Sequence, residues 1–278
     1  MKSVFSGAAL AAALAVPLTG HSFSYDVLVG TASGQLTTGF LAHGGVPPGG
    51  GFAVDSITGQ HLYPASFGDF AGGPRATNDP GFQGFTGTLP AGTIVSAQGM
   101  GYLEYWAPAT PAWALPPSGE QVRLYGGIPT DISLAYVFCQ TGGLLCDPAL
   151  AAQYPSYAQG TAFSASGVSG PNPAIIDDAD AAGAFHAHLD WFIEQPGGTP
   201  ATGAYLVTFA LVADGYRASE PAKILFNYGL TDAQYQAAFD ARVFSVTPPI
   251  PEPPAVLLML AGIAFLTVWC RRSRTALI

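Results

Sequence analysis

Apolar and polar positions alternate along most of the chain in runs of five to eleven residues, broken by glycine and proline turns. Short alternating runs of this kind are strands with one covered face. Strands are expected at Gln35–Phe40, Gly51–Ile57, Thr93–Gln98, Tyr102–Trp106, Gln121–Tyr125, Asp131–Phe138, Thr161–Ser166, Ala184–Glu194, Ala204–Ala213 and Ala222–Tyr228. Gly-Gly, Pro-Gly, Asn-Asp-Pro-Gly and Pro-Pro-Ser-Gly stretches supply the turns between them. Tyr205–Ala213 is apolar at nearly every position, as expected of a strand covered on both faces. One helix is expected: Thr231-Asp-Ala-Gln234 is a capping box, and Tyr235, Ala238, Phe239 and Arg242-Val243 follow at helical spacing. The proline-rich stretch Ala107–Gly119 reads either as an internal boundary or as a long loop. The pattern predicts an all-β body, an antiparallel β-sandwich with one short helix near its C-terminal end.

Two apolar runs fall outside this pattern and sit at the ends of the chain. Lys2, the alanine- and leucine-rich stretch Val4–Leu18 and the small residues Ser22 and Ser24 compose a secretory signal peptide over residues 1–24. At the other end, residues 247–254 hold five prolines, the sixteen residues from Ala255 to Cys270 are uniformly apolar, and Arg271, Arg272 and Arg274 follow in the tail 271–278. The prolines hold their segment extended. A sixteen-residue helix spans about 24 Å, against a bilayer core of about 30 Å; bilayer thinning and snorkelling of the arginines close the gap. The positive-inside rule keeps the arginines cytoplasmic.

The order Pro251-Glu252-Pro253, short apolar helix and arginine cluster resembles the PEP-CTERM sorting signal of exported bacterial proteins, with Ile250 where valine is usual. The resemblance implies export, delivery to a membrane cysteine transpeptidase (the exosortase) and cleavage near the motif. A plain single-pass anchor on a proline-rich stalk is the competing reading. Leu89-Pro-Ala-Gly-Thr93 is a scrambled match to a Gram-positive sortase signal and lies far from the end. With either reading the body, residues 25–246, is exported and passes through the inner membrane on its way to the cell surface or extracellular space.

Removing the ends changes the charge balance. All eighteen acidic residues lie between Asp26 and Glu252, whereas only Arg75, Arg123, Arg217, Lys223 and Arg242 remain of the basic ones, a formal charge of −13. Nucleic acid and anionic lipid are disfavoured as partners. Cys139 and Cys146 flank Gln-Thr-Gly-Gly-Leu-Leu, and in an oxidising compartment a local disulfide is expected. Its chain-entropy contribution is about 2.5 kcal/mol.

The segment Phe185-His-Ala-His-Leu-Asp-Trp-Phe-Ile193 carries the most pointed chemistry. Strand periodicity sends Phe185, Ala187, Leu189, Trp191 and Ile193 to the core and His186, His188 and Asp190 to the other face. Two imidazoles and a carboxylate suit zinc or another divalent transition metal, with a further ligand from another strand: His61, His43, Asp69 or Asp79. An exposed polar strand face with hydrogen-bonded histidines is the plainer reading. Together with Pro196-Gly197, Tyr205 and the strand that follows, the segment resembles bacterial surface-anchored β domains with a His-x-His, Trp-x-Phe, Pro-Gly, Tyr pattern, here interrupted by Gly198–Thr202.

Catalytic motifs are missing: there is no Gly-x-Ser-x-Gly, His-Glu-x-x-His or Walker loop. Asp177, Asp178 and Asp180 lack the spacing of a calcium loop. Trp106, Trp113, Tyr102, Tyr105 and Tyr125 read as core aromatics or as a sugar-stacking surface. The sequence therefore points to a noncatalytic exported surface or biofilm-matrix protein, partnered with the exosortase and with extracellular polysaccharide. The alternative is a zinc-binding surface module built on His186 and His188, and an exported hydrolase comes third.

Overall fold

The computed structural model describes residues 25–42 and 53–242. The expected signal peptide, the proline-rich segment 247–254, the apolar run 255–270 and the basic tail lie outside the described residues. No helix among the described residues is long and apolar enough to cross a membrane.

In chain order the strands begin with β1 (Tyr25–Ala32), β2 (Gln35–Ala42), β3 (His61–Ser66), β4 (Ala76–Thr77) and β5 (Phe82–Gly84). Next come β6 (Ile94–Ala107), β7 (Thr110–Ala114) and β8 (Gln121–Tyr125). Three helices follow, α1 (Thr130–Gln140), α2 (Pro148–Ala151) and α3 (Tyr154–Ala158). The chain continues with β9 (Thr161–Ser164), β10 (Gly167–Ser169), β11 (Ala174–Asp178), β12 (Phe185–Ala187) and β13 (Asp190–Glu194). It closes with β14 (Gly203–Ala213), β15 (Ala222–Tyr228) and α4 (Asp232–Asp240).

The fold is β-rich and built from three sheets. The first runs β12-β5-β1-β2, the second β10-β9-β8-β13-β4, and the third β11-β6-β14-β15-β3 with β7 paired to β6. Two pairings, β1 with β5 and β15 with β3, are parallel, so the expected antiparallel arrangement holds for the other pairings only. Local chemistry sets several of the turns. The β1–β2 hairpin closes through Ser33 and Gly34, both at positive φ, the backbone of a type I′ turn whose twist matches its strands.

Side chains of all three sheets meet in one core. Val27 and Phe82 come from the first sheet, Leu124, Trp191 and Ile193 from the second, and Tyr63, Tyr205, Phe209 and Phe226 from the third. Trp191 is fully buried, with its ring centroid 5.2 Å from that of Phe226 across the sheets. The third sheet is covered on its other face by a second cluster, Leu62, Trp106, Leu206, Leu225 and Leu230 with Ala238 of α4. That double covering is why β14 is apolar along its length, as its sequence predicts. The expected capping box at Thr231 and Gln234 is formed.

Several expectations are corrected. Asp131–Phe138 is helical, within α1, because Pro129 opens the helix and its inward residues are Ile132 and Ala135, spaced by three rather than two. Four helices are present among the described residues, not one. Thr93–Gln98 and Tyr102–Trp106 belong to one strand, β6, interrupted by a bulge at Gly101, which has positive φ. Ala184–Glu194 is split between two sheets. Of Gly51–Ile57, the described residues 53–57 form no named strand and contribute an isolated bridge, Val54 to His61. The stretch Ala107–Gly119 carries β7, and the shared core draws on residues from both sides of it. Cys139 and Cys146 form the expected disulfide, joining the end of α1 to the approach to α2.

A buried ionic group closes the C-terminal end of the described chain. Arg242 bonds Asp55 and Glu104, Lys223 bonds Asp55, and the Arg242 guanidinium lies 4.7 Å from the Trp113 ring. Burial pushes the Asp55 carboxyl upward, but the Lys223 ammonium, the Ile57 N–H and the Arg242 charge outweigh it and hold the group below its ordinary value. A carboxyl with a depressed folded-state pKa stabilises the fold above the unfolded value and loses that contribution as the pH falls through the folded one. Asp55→Asn is therefore expected to cost about 3 kcal/mol at neutral pH, by removing the close partner of buried Lys223 and one of the two carboxylates on Arg242. It should also flatten the loss of stability below about pH 4. Urea denaturation across that range measures both effects, and a wild-type-like acid profile in the variant would contradict the assignment.

Candidate metal site

The first sheet places three strands side by side so that one row of residues crosses them. Val27 pairs with Phe82, and Phe82 with Ala187. The adjacent row therefore consists of Asp26, Gly81 and His188, and the Val27 N–H donates to the Gly81 carbonyl at 2.8 Å. Alternation along the strands turns this row away from the core that Val27, Phe82 and Phe185 enter. His186, two residues from His188, shares its face. Gly81 has no side chain, so Asp26 and His188 meet over its backbone. A Cβ at position 81 would lie 2.7 Å from His188 Cε1, 2.8 Å from His188 Nε2 and 2.8 Å from Asp26 Oδ1.

The result is a compact set of donor atoms. His186 Nε2 is 3.0 Å from His188 Nε2 and 3.1 Å from Asp26 Oδ2. Among the described residues, Asp26, His186 and His188 form the group whose ligand atoms all lie within 4.8 Å of one another. Two donors about 2.1 Å from a tetrahedral zinc are about 3.4 Å apart, so a shift of a few tenths of an ångström converts these contacts into a coordination shell. The Asp26 side chain is fully buried, whereas those of His186 and His188 are 46% and 32% exposed. The group thus has a fixed carboxylate floor and an imidazole rim open to solvent.

Outer contacts orient the ligands. The Asn78 carbonyl lies 3.0 Å from His188 Nδ1. A carbonyl only accepts, so Nδ1 carries the proton and Nε2 presents its lone pair to the group when the ring is neutral. Asp79 Oδ1, 3.4 Å from the same Nδ1, reinforces that tautomer. The Gly81 N–H donates to Asp26 Oδ1 at 3.1 Å, leaving Oδ2 toward His186.

The other candidates are placed elsewhere. Asp190 opens β13 in the second sheet, opposite Tyr125, because the chain leaves the first sheet after Ala187. His61 sits in β3, where Nδ1 is 2.9 Å from Thr38 Oγ1 and the ring lies edge-on to Phe40. Burial pushes its pKa down. His43 lies outside the described residues, Asp69 stands outside the group, and Asp79 is an outer contact. Asp26 and Gly81, absent from the sequence-based set, had only faint signals. Asp26 directly precedes the apolar Val27-Leu28-Val29, and Gly81 ends the Asn-Asp-Pro-Gly turn.

The remaining sequence candidates lie outside this group. Asp180 accepts from the N–H groups of Ala182 and Ala184 within a turn. Trp106 lies in the core, and Trp113 packs beneath Arg242.

No protein-family model, curated protein or solved structure matches this chain.

The cradle over Gly81 makes a direct prediction. Gly81→Ala should push His188 and Asp26 apart and weaken zinc binding at least about tenfold while the protein stays folded, because the row faces away from the core. Isothermal titration with zinc, alongside a thermal melt, reads both quantities. Unchanged affinity in a folded variant would contradict the geometry.

Proposed function

We propose that this chain is a noncatalytic exported surface protein whose folded body holds a divalent transition metal, zinc by preference, on Asp26, His186 and His188. The observation that carries the reading is the convergence of two imidazole nitrogens and one carboxylate oxygen from two strands of the first sheet. One imidazole is already fixed in its ligating tautomer. A Zn²⁺ ion there would take the place of the proton that His186 Nε2 now shares with His188 Nε2 and Asp26 Oδ2. The mixed nitrogen and oxygen donors suit zinc better than calcium or magnesium. The acidic body gives no footprint for nucleic acid.

The rest of the reading is carried by sequence. The motif Pro251-Glu252-Pro253, the apolar run and Arg271, Arg272 and Arg274 support sorting by an exosortase, with the inner membrane as a way-station and the cell surface or polysaccharide matrix as the destination. The core shared by the three sheets supports an arrangement of the sandwich kind for the body.

Two measurements test the proposal separately. The purified protein should retain about one zinc per chain after dialysis against metal-free buffer, and a chelator should remove it. Replacing His186 and His188 with alanine should remove the metal, and an unaltered zinc content would reject the site. For the tail, surface protein from a strain with its exosortase should lack residues 255–278, and protein from a strain without it should keep them. Retention of that segment in both strains would leave the tail a simple anchor.

A further inference from the structure

We propose that the disulfide-closed lobe between β8 and β9 is a bilayer-contacting surface that rests on uncharged lipid headgroups while the chain is still membrane-anchored. The proposal depends on the reading of residues 255–270 as a membrane span, and is independent of the metal site.

The lobe, residues 126–160, differs in chemistry from the rest of the body. Its only charged residues are Asp131 and Asp147, and it has no lysine or arginine. Both carboxylates are turned to local work: Asp131 accepts from the Ile132 N–H, and Asp147 caps α2 through the N–H groups of Ala149 and Leu150. Apolar side chains face outward instead. Leu144 is completely exposed, Leu145 is 71% exposed, and Leu134 and Val137, one turn apart on α1, are each about half exposed. Isolated exposed leucines need no explanation, but here four large aliphatic side chains lie exposed within twelve residues, all on α1 or on the disulfide-closed loop that follows it.

The patch is also held in place. The Cys139–Cys146 bond closes the loop that carries Leu144 and Leu145, and the Gly143 N–H donates back to the Phe138 carbonyl. The rings of Tyr136 and Tyr154 stack with centroids 4.0 Å apart, fixing α3 against α1. Such a tip cannot fold inward to hide its leucines, and little conformational freedom remains to be lost on contact.

Reach and charge select the partner. From Arg242, fixed in the buried ionic group, to Ala255 there are thirteen residues, which extend to about 43 Å at most. A body of this size has a radius of gyration of about 17 Å. Every face of an anchored body can therefore reach the bilayer, and the tether raises the effective concentration of lipid surface, so a small apolar patch suffices. A second copy would have to approach against a formal charge of −12 on each body, residues 25–246. The same charge disfavours anionic headgroups and leaves zwitterionic lipid as the fitting surface.

The test uses the full chain inserted in phosphatidylcholine vesicles doped with a diazirine-bearing phosphatidylcholine, with photolysis followed by peptide mapping. Two regions should be labelled, 255–270 and the lobe around Gly142–Cys146. The double variant Leu144→Asp, Leu145→Asp should lower lobe labelling about tenfold and leave 255–270 labelled as before. Both positions are exposed, so the fold is not at stake. Labelling of 255–270 with an unlabelled lobe would overturn the proposal, as would lobe labelling indifferent to the two aspartates. A dimer that the same variant abolishes, without lipid labelling, would assign the patch to a second copy and also overturn it. Absence of label on 255–270 would refute the anchoring reading instead, a separate result.

Discussion

The core shared by three sheets forces the chain to change sheets between Ala187 and Asp190, and the candidate site is set by that crossing. Trp191 and Ile193 must enter the core from the second sheet, while Phe185 enters it from the first. His188 is left at the edge of the first sheet, held by the Asn78 carbonyl and facing Asp26 over Gly81. Asp190 is carried away into the second sheet. A straight eleven-residue strand would have kept His186, His188 and Asp190 on one face, roughly 7 Å apart along the backbone, with Asp190 beside the imidazoles. With Asp190 gone, His186 Nε2 lies 3.0 Å from His188 Nε2, and the missing side chain at position 81 leaves room for His188 beside Asp26.

Much of this was legible along the chain. Alternation in Phe185–Ile193 sorted inward from outward side chains correctly on both sides of the crossing: Phe185, Leu189, Trp191 and Ile193 are buried, and His186 and His188 are exposed. The uniform apolarity of Tyr205–Ala213 reported a sheet covered on two faces, and the Thr231 capping box marked the start of α4. These signals are local, so periodicity carries them. Asp131–Phe138 misled because alternating Ile, Leu, Tyr and Phe side chains mimic a strand, while Pro129 and the disulfide commit the segment to a helix. The third ligand was illegible for a different reason. Asp26 and His186 are 160 residues apart, and the β1–β5 and β5–β12 pairings, non-local events, bring them together.

Charge is spread unevenly over the body. At its C-terminal end Asp55, Glu104, Lys223 and Arg242 spend charge on one another, in a burial that is tolerable because each charge has a partner. The lobe has almost no charge and leaves its leucines outside, stiffened by a covalent bond.

The central claim, that Asp26, His186 and His188 form one metal centre, is most directly tested by X-ray absorption at the zinc edge on the loaded protein. The account predicts a first shell of nitrogen and oxygen at about 2.0–2.1 Å with the outer-shell scattering of two imidazoles. The Gly81→Ala variant should lose that imidazole signature. A shell of oxygen alone, or a spectrum unchanged by that substitution, would contradict it.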